Sequence, residues 1–203
     1  MSYVIVILAA YLLGSSNMAF YISKLKHVDA RSGGSGNLGA SNATLLMGWW
    51  AGILVAIHDI GKSALAVILA KLLFPELEHI GAVAGVASVL GHIYPFYLKF
   101  QGGKGFASYL GMTLALNWKF ALVIMVLVVV VTLVTDYIVM GTTLTIISTP
   151  AYLGWTSGSL ILALILCIAT AVIIYKHRMN YVRIWKGTEI GLLSAVKGEH
   201  RVK

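Results

Sequence analysis

The chain has little of what most enzymes use for chemistry. Its 203 residues include one cysteine, Cys167, set inside an apolar run. A lone cysteine can close no disulfide within the chain and build no cysteine metal cluster, and here it reads as a small buried hydrophobe. Acids are scarce: Asp29, Asp59, Glu76, Glu78, Asp136, Glu189 and Glu199 are all there are. Two share the loop "PELEH" and the others are scattered, so there is no carboxylate cluster of the kind that holds Mg²⁺ for a lipid kinase or a CDP-alcohol transferase. The His-x-x-x-x-Asp pair of one acyltransferase class is missing, and so is a recognisable Ser–His–Asp set. Charged residues make up only 11% of the chain, against about 25% in a soluble domain. The first residues, "MSYVIVILAAYLLGSS", carry no basic segment ahead of the apolar run, which reads as a retained span and not a secretory signal.

What is there is apolar and basic. Hydrophobic residues make up 59% and the net charge is +8, the balance of an integral membrane protein in contact with anionic lipid and not of a nucleic-acid binder. A spanning helix needs about 20 mostly apolar residues. Stretches that qualify lie near Tyr3–Ser23, Ala43–Phe74, Ile80–Phe100, Phe106–Asn117, Phe120–Thr135, Tyr137–Trp155 and Ser159–Tyr175. The second is too long for one straight span and is expected to project from the membrane or bend near His58-Asp59. The fourth and fifth are short, and one hairpin or one bent helix would also fit them, which leaves five to seven spans. Backbone groups must be paired in lipid, so the expected fold is an all-α polytopic helix bundle, with close packing at small residues such as Gly81 and Gly85. One transmembrane domain over residues 1–189 and a cytoplasmic tail over residues 190–203 are expected.

Basic residues follow the first span (Lys24, Lys26, Arg31), the third (Lys99, Lys104) and the last (Lys176, Arg178, Arg183, Lys186), whereas "PELEH" is acidic. The positive-inside rule then puts the basic segments in the cytoplasm. Seven spans satisfy this with the N-terminus outside and the C-terminus inside; five do so if residues 106–135 do not cross. Three polar islands fall at these ends: "RSGGSGNLGASN" (31–42), "GHIYPFYLKFQGGKG" (91–105) and "KHRMNYVRIWKGTE" (176–189).

Two glycine patterns mislead. Gly34-x-Gly36-x-x-Gly39 matches a dinucleotide fingerprint but is flanked by spans and not by a βαβ unit. "AIHDIGKS" (56–63) matches a loose phosphate-loop pattern within an apolar helical stretch whose amides are already engaged. Gly102-Gly103 differs, because it lies between spans. Consecutive glycines permit left-handed geometries that aim successive N–H groups into an anion nest, with Lys104 adding charge, Gly105 allowing close approach and the helix start at Phe106 adding its dipole. A tight turn with a snorkelling lysine explains the same residues. In the first island Ser35, Asn37, Ser41 and Asn42 are small donors, although Ser41 and Asn42 also suit the cap of the next helix. In the third, His177, Arg178 and Asn180 form a denser donor set than topology requires. Asp59 and Lys62, about one turn apart, either support the site or simply neutralise each other. His92 lies on the third span where the second island begins, and a lone core histidine is the plain alternative.

"GSGNLGASN", "GHIYPFYLKFQGGKG" and "HRMNYVRIWKGTE" together resemble the three signature segments of the bacterial acyl-phosphate-dependent glycerol-3-phosphate acyltransferases, over nearly the whole chain. Departures are Asn17 for a proline, Ser41 for threonine, Ser63 for glycine, Tyr94 for phenylalanine, Gln101 for lysine and Lys176 for arginine. The resemblance implies transfer of a fatty acyl group from acyl phosphate to the sn-1 hydroxyl of glycerol 3-phosphate. The products would be lysophosphatidic acid and inorganic phosphate, as the first step of phospholipid biosynthesis in the bacterial inner membrane. It implies no cofactor, no metal and no nucleic acid, with the soluble enzyme that supplies acyl phosphate as a partner. On this reading Gly102, Gly103, Lys104, Gly105 and Ser41 hold acyl phosphate, and Ser35, Asn37, His177, Arg178 and Asn180 hold glycerol 3-phosphate. Lys104, Ser35, His177 and Asn180 would take part in catalysis, with His92, Asn42, Asp59 and Lys62 in support. A transporter of a phosphorylated metabolite is the rival; it predicts polar residues reaching both faces and paired repeats.

Overall fold

The computed structural model describes residues 1–192. The regular elements among them are helical: α1 (Ser2–Ser15), α2 (Met18–Leu25), α3 (Ala40–Met47), α4 (Trp49–Leu73), α5 (Ile80–Ile93), α6 (Phe106–Leu116), α7 (Trp118–Thr135), α8 (Ile138–Ser157) and α9 (Leu160–Trp185), with a 3-10 turn at Phe96–Leu98. Five stretches are long and apolar enough to cross a membrane: Ser2–Leu25, Trp49–Leu73, Ile80–Leu98, Trp118–Thr135 and Leu160–Trp185. The protein is thus an all-helical, multi-pass membrane protein. The shorter expected spans appear as α6, an apolar helix of 11 residues, and α8, a helix of 20 residues rich in Ser and Thr. The tail expected after Glu189 lies outside the described residues from 193 onward.

The chain divides into two compact units, Met1–Asn117 and Trp118–Lys203. In the first, α5 is the central helix, packed by α1, α4 and α6. Its small residues allow this. A Cβ on Gly85 would lie 2.3 Å from Met112 Cγ of α6, so this glycine serves close packing as expected, while Gly81 meets the Lys71 stem of α4. Lipid tails are as apolar as leucine, so apolar contact between helices adds little there, and interhelical hydrogen bonds carry more of the specificity. Ser63 of α4 and Ser88 of α5 make such a bond at 2.9 Å in the core. Large apolar side chains on α4, among them Leu54, Ile57, Leu65 and Leu69, face outward, as lipid contact requires.

Two expectations about helix shape are corrected. The long stretch is broken, but not at His58-Asp59, through which α4 runs continuously. The break is at Gly48, whose φ of 94° suits glycine and separates α3 from α4. The first span is itself interrupted at Ser16-Asn17. Asn17 caps α2 by accepting from the Phe20 N–H at 2.9 Å. Carbonyls released by the break find donors: Tyr97 Oη–H bonds to the Ser15 oxygen at 3.0 Å, and Lys62 Nζ to that of Ser16 at 2.7 Å. A broken span is tolerated on those terms.

In the second unit, α8 packs between α7 and α9. Phe120 stacks on Tyr152 with ring centroids 4.2 Å apart, joining α7 to α8. Pro150 has no N–H to give the carbonyl one turn earlier, and Thr170 of α9 donates to that Ile146 oxygen at 2.8 Å instead. Thr143 and Tyr181 link the same two helices at 2.8 Å.

Candidate active site

The first and second polar islands share one end of the first unit. Leu38 of one and Leu98 of the other are buried in a single apolar cluster with Ala19, Ile22, Ala43, Met47 and Val55. Asn42 organises the first island. Its Oδ1 accepts from the Ser35 N–H at 2.8 Å and its Nδ2 donates to the Ala30 carbonyl at 2.7 Å. The alternative that Ser41 and Asn42 cap the helix is therefore not what the structure has. Gly39 is the N-cap and gives no side-chain bond, Asn42 lies within α3, and its buried amide reaches back to fix the loop. Ser35 and Ser41 are exposed and Asn37 half-buried, so the small donors face outward from a backbone tied down beneath them. Gly34 and Gly36 take positive φ, 58° and 64°.

The second island is built differently from the expected nest. Gly102 and Gly103 do not adopt positive φ; the left-handed residues are Lys99, Phe100 and Gly105. Nor do the N–H groups of Gly102 and Gly103 point to a ligand. They donate to the carbonyls of Ile93, at 3.0 Å, and His92, at 3.2 Å, doubling the loop back onto the end of α5. Their lack of side chains is a matter of space. A Cβ on Gly102 would lie 2.1 Å from the His92 carbonyl oxygen, and one on Gly103 would lie 2.0 Å from His92 Nε2. Anion-binding character is left to Lys104, which is half-buried, and to the start of α6 after Gly105, whose φ is 98°.

Beneath this loop lies a buried polar cluster. Lys62 Nζ donates to Asp59 Oδ1 at 2.8 Å and to the Ser16 carbonyl at 2.7 Å. His92 Nδ1 lies within hydrogen-bonding distance of both members of the pair, 3.0 Å from Lys62 Nζ and 3.3 Å from Asp59 Oδ1, and Nε2 is the ring nitrogen facing Gly103. Asp59 Oδ1 also lies 3.3 Å from His58 Nδ1, and His58 Nε2 lies 3.0 Å from Ser16 Oγ. Asp59, Lys62 and His92 are each no more than 5% exposed. The expected pairing of Asp59 with Lys62 is present, and the third member is a histidine thirty positions away. Sequence reasoning missed Ser16, His58 and Asn17. The break they serve leaves no composition signal in an apolar run, although the Ser-Ser-Asn triplet is a polar interruption.

The third island lies in the second unit. His177 Nδ1–H donates to the Ile173 carbonyl at 2.9 Å, so Nε2 is the nitrogen left to accept. Arg178 is exposed, lies 4.1 Å over the Tyr175 ring and donates to the Tyr175 carbonyl. Buried Asn180 donates to one Glu189 oxygen, and Arg183 Nε to the other. Glu189, assigned no role from sequence, thereby ties the segment after α9 back to that helix.

These features define an all-helical membrane protein that presents a rigidly backed, lysine-bearing glycine loop, a set-up suited to a phosphorylated substrate. The glycerol-3-phosphate acyltransferase family model matches residues 4–187. Similar curated proteins are glycerol-3-phosphate acyltransferases of Prochlorococcus marinus strain MIT 9215, 36% identical over 92% of this chain and 95% of that one, and of Coxiella burnetii strain CbuG_Q212, 36% identical over 93% and 97%. Among solved structures, the glycerol 3-phosphate form of PlsY (YgiH), an integral membrane glycerol 3-phosphate acyltransferase, matches with TM-score 0.89 at 33% identity, over 96% of this chain and 98% of that one. The chain belongs to the glycerol-3-phosphate acyltransferase family.

Proposed function

We propose that the protein transfers a fatty acyl group from acyl phosphate to the sn-1 hydroxyl of glycerol 3-phosphate. The hydroxyl oxygen attacks the acyl carbonyl carbon and the bond from that carbon to the phosphate oxygen breaks. The hydroxyl proton passes to the departing phosphate, so lysophosphatidic acid and inorganic phosphate result. The observation that carries the reading is Lys104, half-buried between Gly103 and Gly105 at the start of α6 and braced by a buried cluster. A fixed cation suits a phosphate whose charge grows as it leaves, which is stabilisation by a preorganised charge.

Lys104, Gly105 and Ser41 hold the acyl phosphate, with Gly102 and Gly103 shaping the loop. The donors assigned to glycerol 3-phosphate are Ser35 and Asn37 of the first unit and His177, Arg178 and Asn180 of the second, each set taken by itself. We assign no proton transfer to His92, whose ring is held between the Asp59–Lys62 pair and Gly103. The competing reading assigns the proton to His177, whose Nδ1–H is engaged with the Ile173 carbonyl and whose Nε2 is the accepting nitrogen. The site faces the cytoplasm of the bacterial inner membrane, in a seven-span arrangement with the N-terminus outside, as the basic segments indicate. A soluble enzyme that makes acyl phosphate is the natural supplier. The transporter alternative has little support, since the loop between α4 and α5 offers only a short acidic segment.

The test is purified protein with acyl phosphate and glycerol 3-phosphate after chelation of metals. Phosphate release matched by lysophosphatidic acid is expected. Reaction with acyl-CoA instead, or strict dependence on added Mg²⁺, would overturn the donor assignment.

A further inference from the structure

We infer that His92 is a positioning residue for the phosphate-holding loop: it stands between the buried Asp59–Lys62 pair and Gly103 and so fixes where Lys104 is presented. This rests on the acyltransferase reading and deepens it. Three observations carry it. One side of the ring is anchored, since Nδ1 lies 3.0 Å from Lys62 Nζ and 3.3 Å from Asp59 Oδ1. The other side has no slack, since a single methyl on Gly103 would come within 2.0 Å of Nε2. The backbone closes the clamp, since the His92 carbonyl accepts from the Gly103 N–H at 3.2 Å and lies 2.1 Å from where a Gly102 Cβ would be.

The arrangement solves a physical problem. A lysine side chain is a flexible stem with a strongly hydrated head, and by itself it presents its charge loosely. Its effect on a transition state depends on being preorganised. The residues before Lys104 are glycines, which hold no conformation through their own side chains. Rigidity must come from what the loop rests on. That support is a ring locked by a desolvated ion pair, whose second anchor, Lys62, also holds the Ser16 carbonyl at the break in the first span. The same contact explains why glycine stands at 103 although its φ is not left-handed.

The test exploits the fit between two positions. Gly103→Ala should clash with the ring and lower kcat for the acyl donor about a hundredfold. His92→Asn keeps a polar group beside Lys62 where Nδ1 was but removes the ring behind Gly103. It should lower kcat about tenfold and raise KM for the acyl donor, with KM for glycerol 3-phosphate changed less than about twofold. In the double variant the methyl occupies the space the ring vacated, so activity should recover at least about tenfold over Gly103→Ala alone. Neighbouring sites that share a packing contact are expected to be non-additive in this way. Size-exclusion profile and thermal unfolding in detergent are recorded for each variant, and kcat is normalised to folded enzyme.

A double variant whose loss equals the product of the two single losses would overturn the inference. So would a His92→Asn variant with unchanged kinetics, or one in which both KM values rise together. If His92→Asn destabilises the protein too far to assay, Gly103→Ala is combined with His92→Ser, which also vacates the ring's space, and the same recovery or its absence decides. All comparisons are made against the unsubstituted enzyme with whichever acyl donor it uses. A wrong donor therefore shows in the unsubstituted protein, and a wrong role for His92 shows only in the variants.

Discussion

The glycine-loop end of the first unit and the α9 end of the second both display cationic and amide donors, but they are braced in different ways. Behind the glycine loop lie Asp59, Lys62 and His92, drawn from two helices and almost entirely out of solvent. At the end of α9 the brace is Glu189, which reaches back to Asn180 and Arg183 of the helix it follows, with the Arg183 side chain 40% exposed. A buried charge must be paired because it has no water to fall back on, so removing one partner strands the other. The second pair is open to solvent on its Arg183 side while Glu189 is only 13% exposed, so water substitutes for it only in part. The first arrangement suits a group that must not move while a bond breaks. The second suits a grip on a soluble substrate that enters and leaves.

The sharpest attempt to break this contrast is Asp59→Ala. It leaves Lys62 buried without its counter-charge, and a cost of about 3–5 kcal/mol in stability is expected. Thermal or denaturant unfolding in detergent measures it, and a loss under about 1 kcal/mol would remove the distinction between the two ends. Next is Lys104→Ala, expected to lower kcat about 10²–10³-fold with folding intact, as for loss of one preorganised donor to a developing negative charge. Steady-state kinetics with each substrate varied in turn reads this. Arg178→Ala should act on the other substrate. One charge-assisted bond is worth about 1.5–3 kcal/mol, so the apparent KM for glycerol 3-phosphate should rise roughly ten- to a hundredfold while kcat changes little. If both charge variants give the same kinetic pattern, the division into two phosphate grips is wrong. The smallest effect belongs to Glu189→Ala, where about 1 kcal/mol of stability and a several-fold rise in KM for glycerol 3-phosphate are expected, since Asn180 retains its helix but loses its brace.

The polar segments of the candidate site stand out in the sequence because their residues are close together. Gly102-Gly103-Lys104-Gly105 and His177-Arg178-x-Asn180 stand out against apolar flanks, and Asp59 and Lys62 face each other by helical spacing alone. What misled was the reason for the glycines. Gly-Gly was read as a left-handed nest, whereas the left-handed residues are Lys99, Phe100 and Gly105 and the glycines yield room to a histidine. For Asn42 a helix cap was the alternative to a supporting role, since asparagine near a helix start often caps it, and its amide instead bonds seven and twelve residues backward.

Composition and hydrophobic runs by themselves determined that this chain is a bundle of membrane-crossing helices. Burying a backbone in lipid demands long apolar helices whatever their neighbours do. They also determined which islands hold donors, because a polar residue in such a chain is costly and therefore conspicuous. Only the tertiary structure decided which donors work through others. Lys62 meets the Ser16 carbonyl 46 positions away and His92 30 positions away, and no local spacing encodes either. Those contacts exist because α1, α4 and α5 cross where an ion pair, a helix break and a glycine loop share one buried volume. There, polar groups withdrawn from bulk solvent are paired with one another.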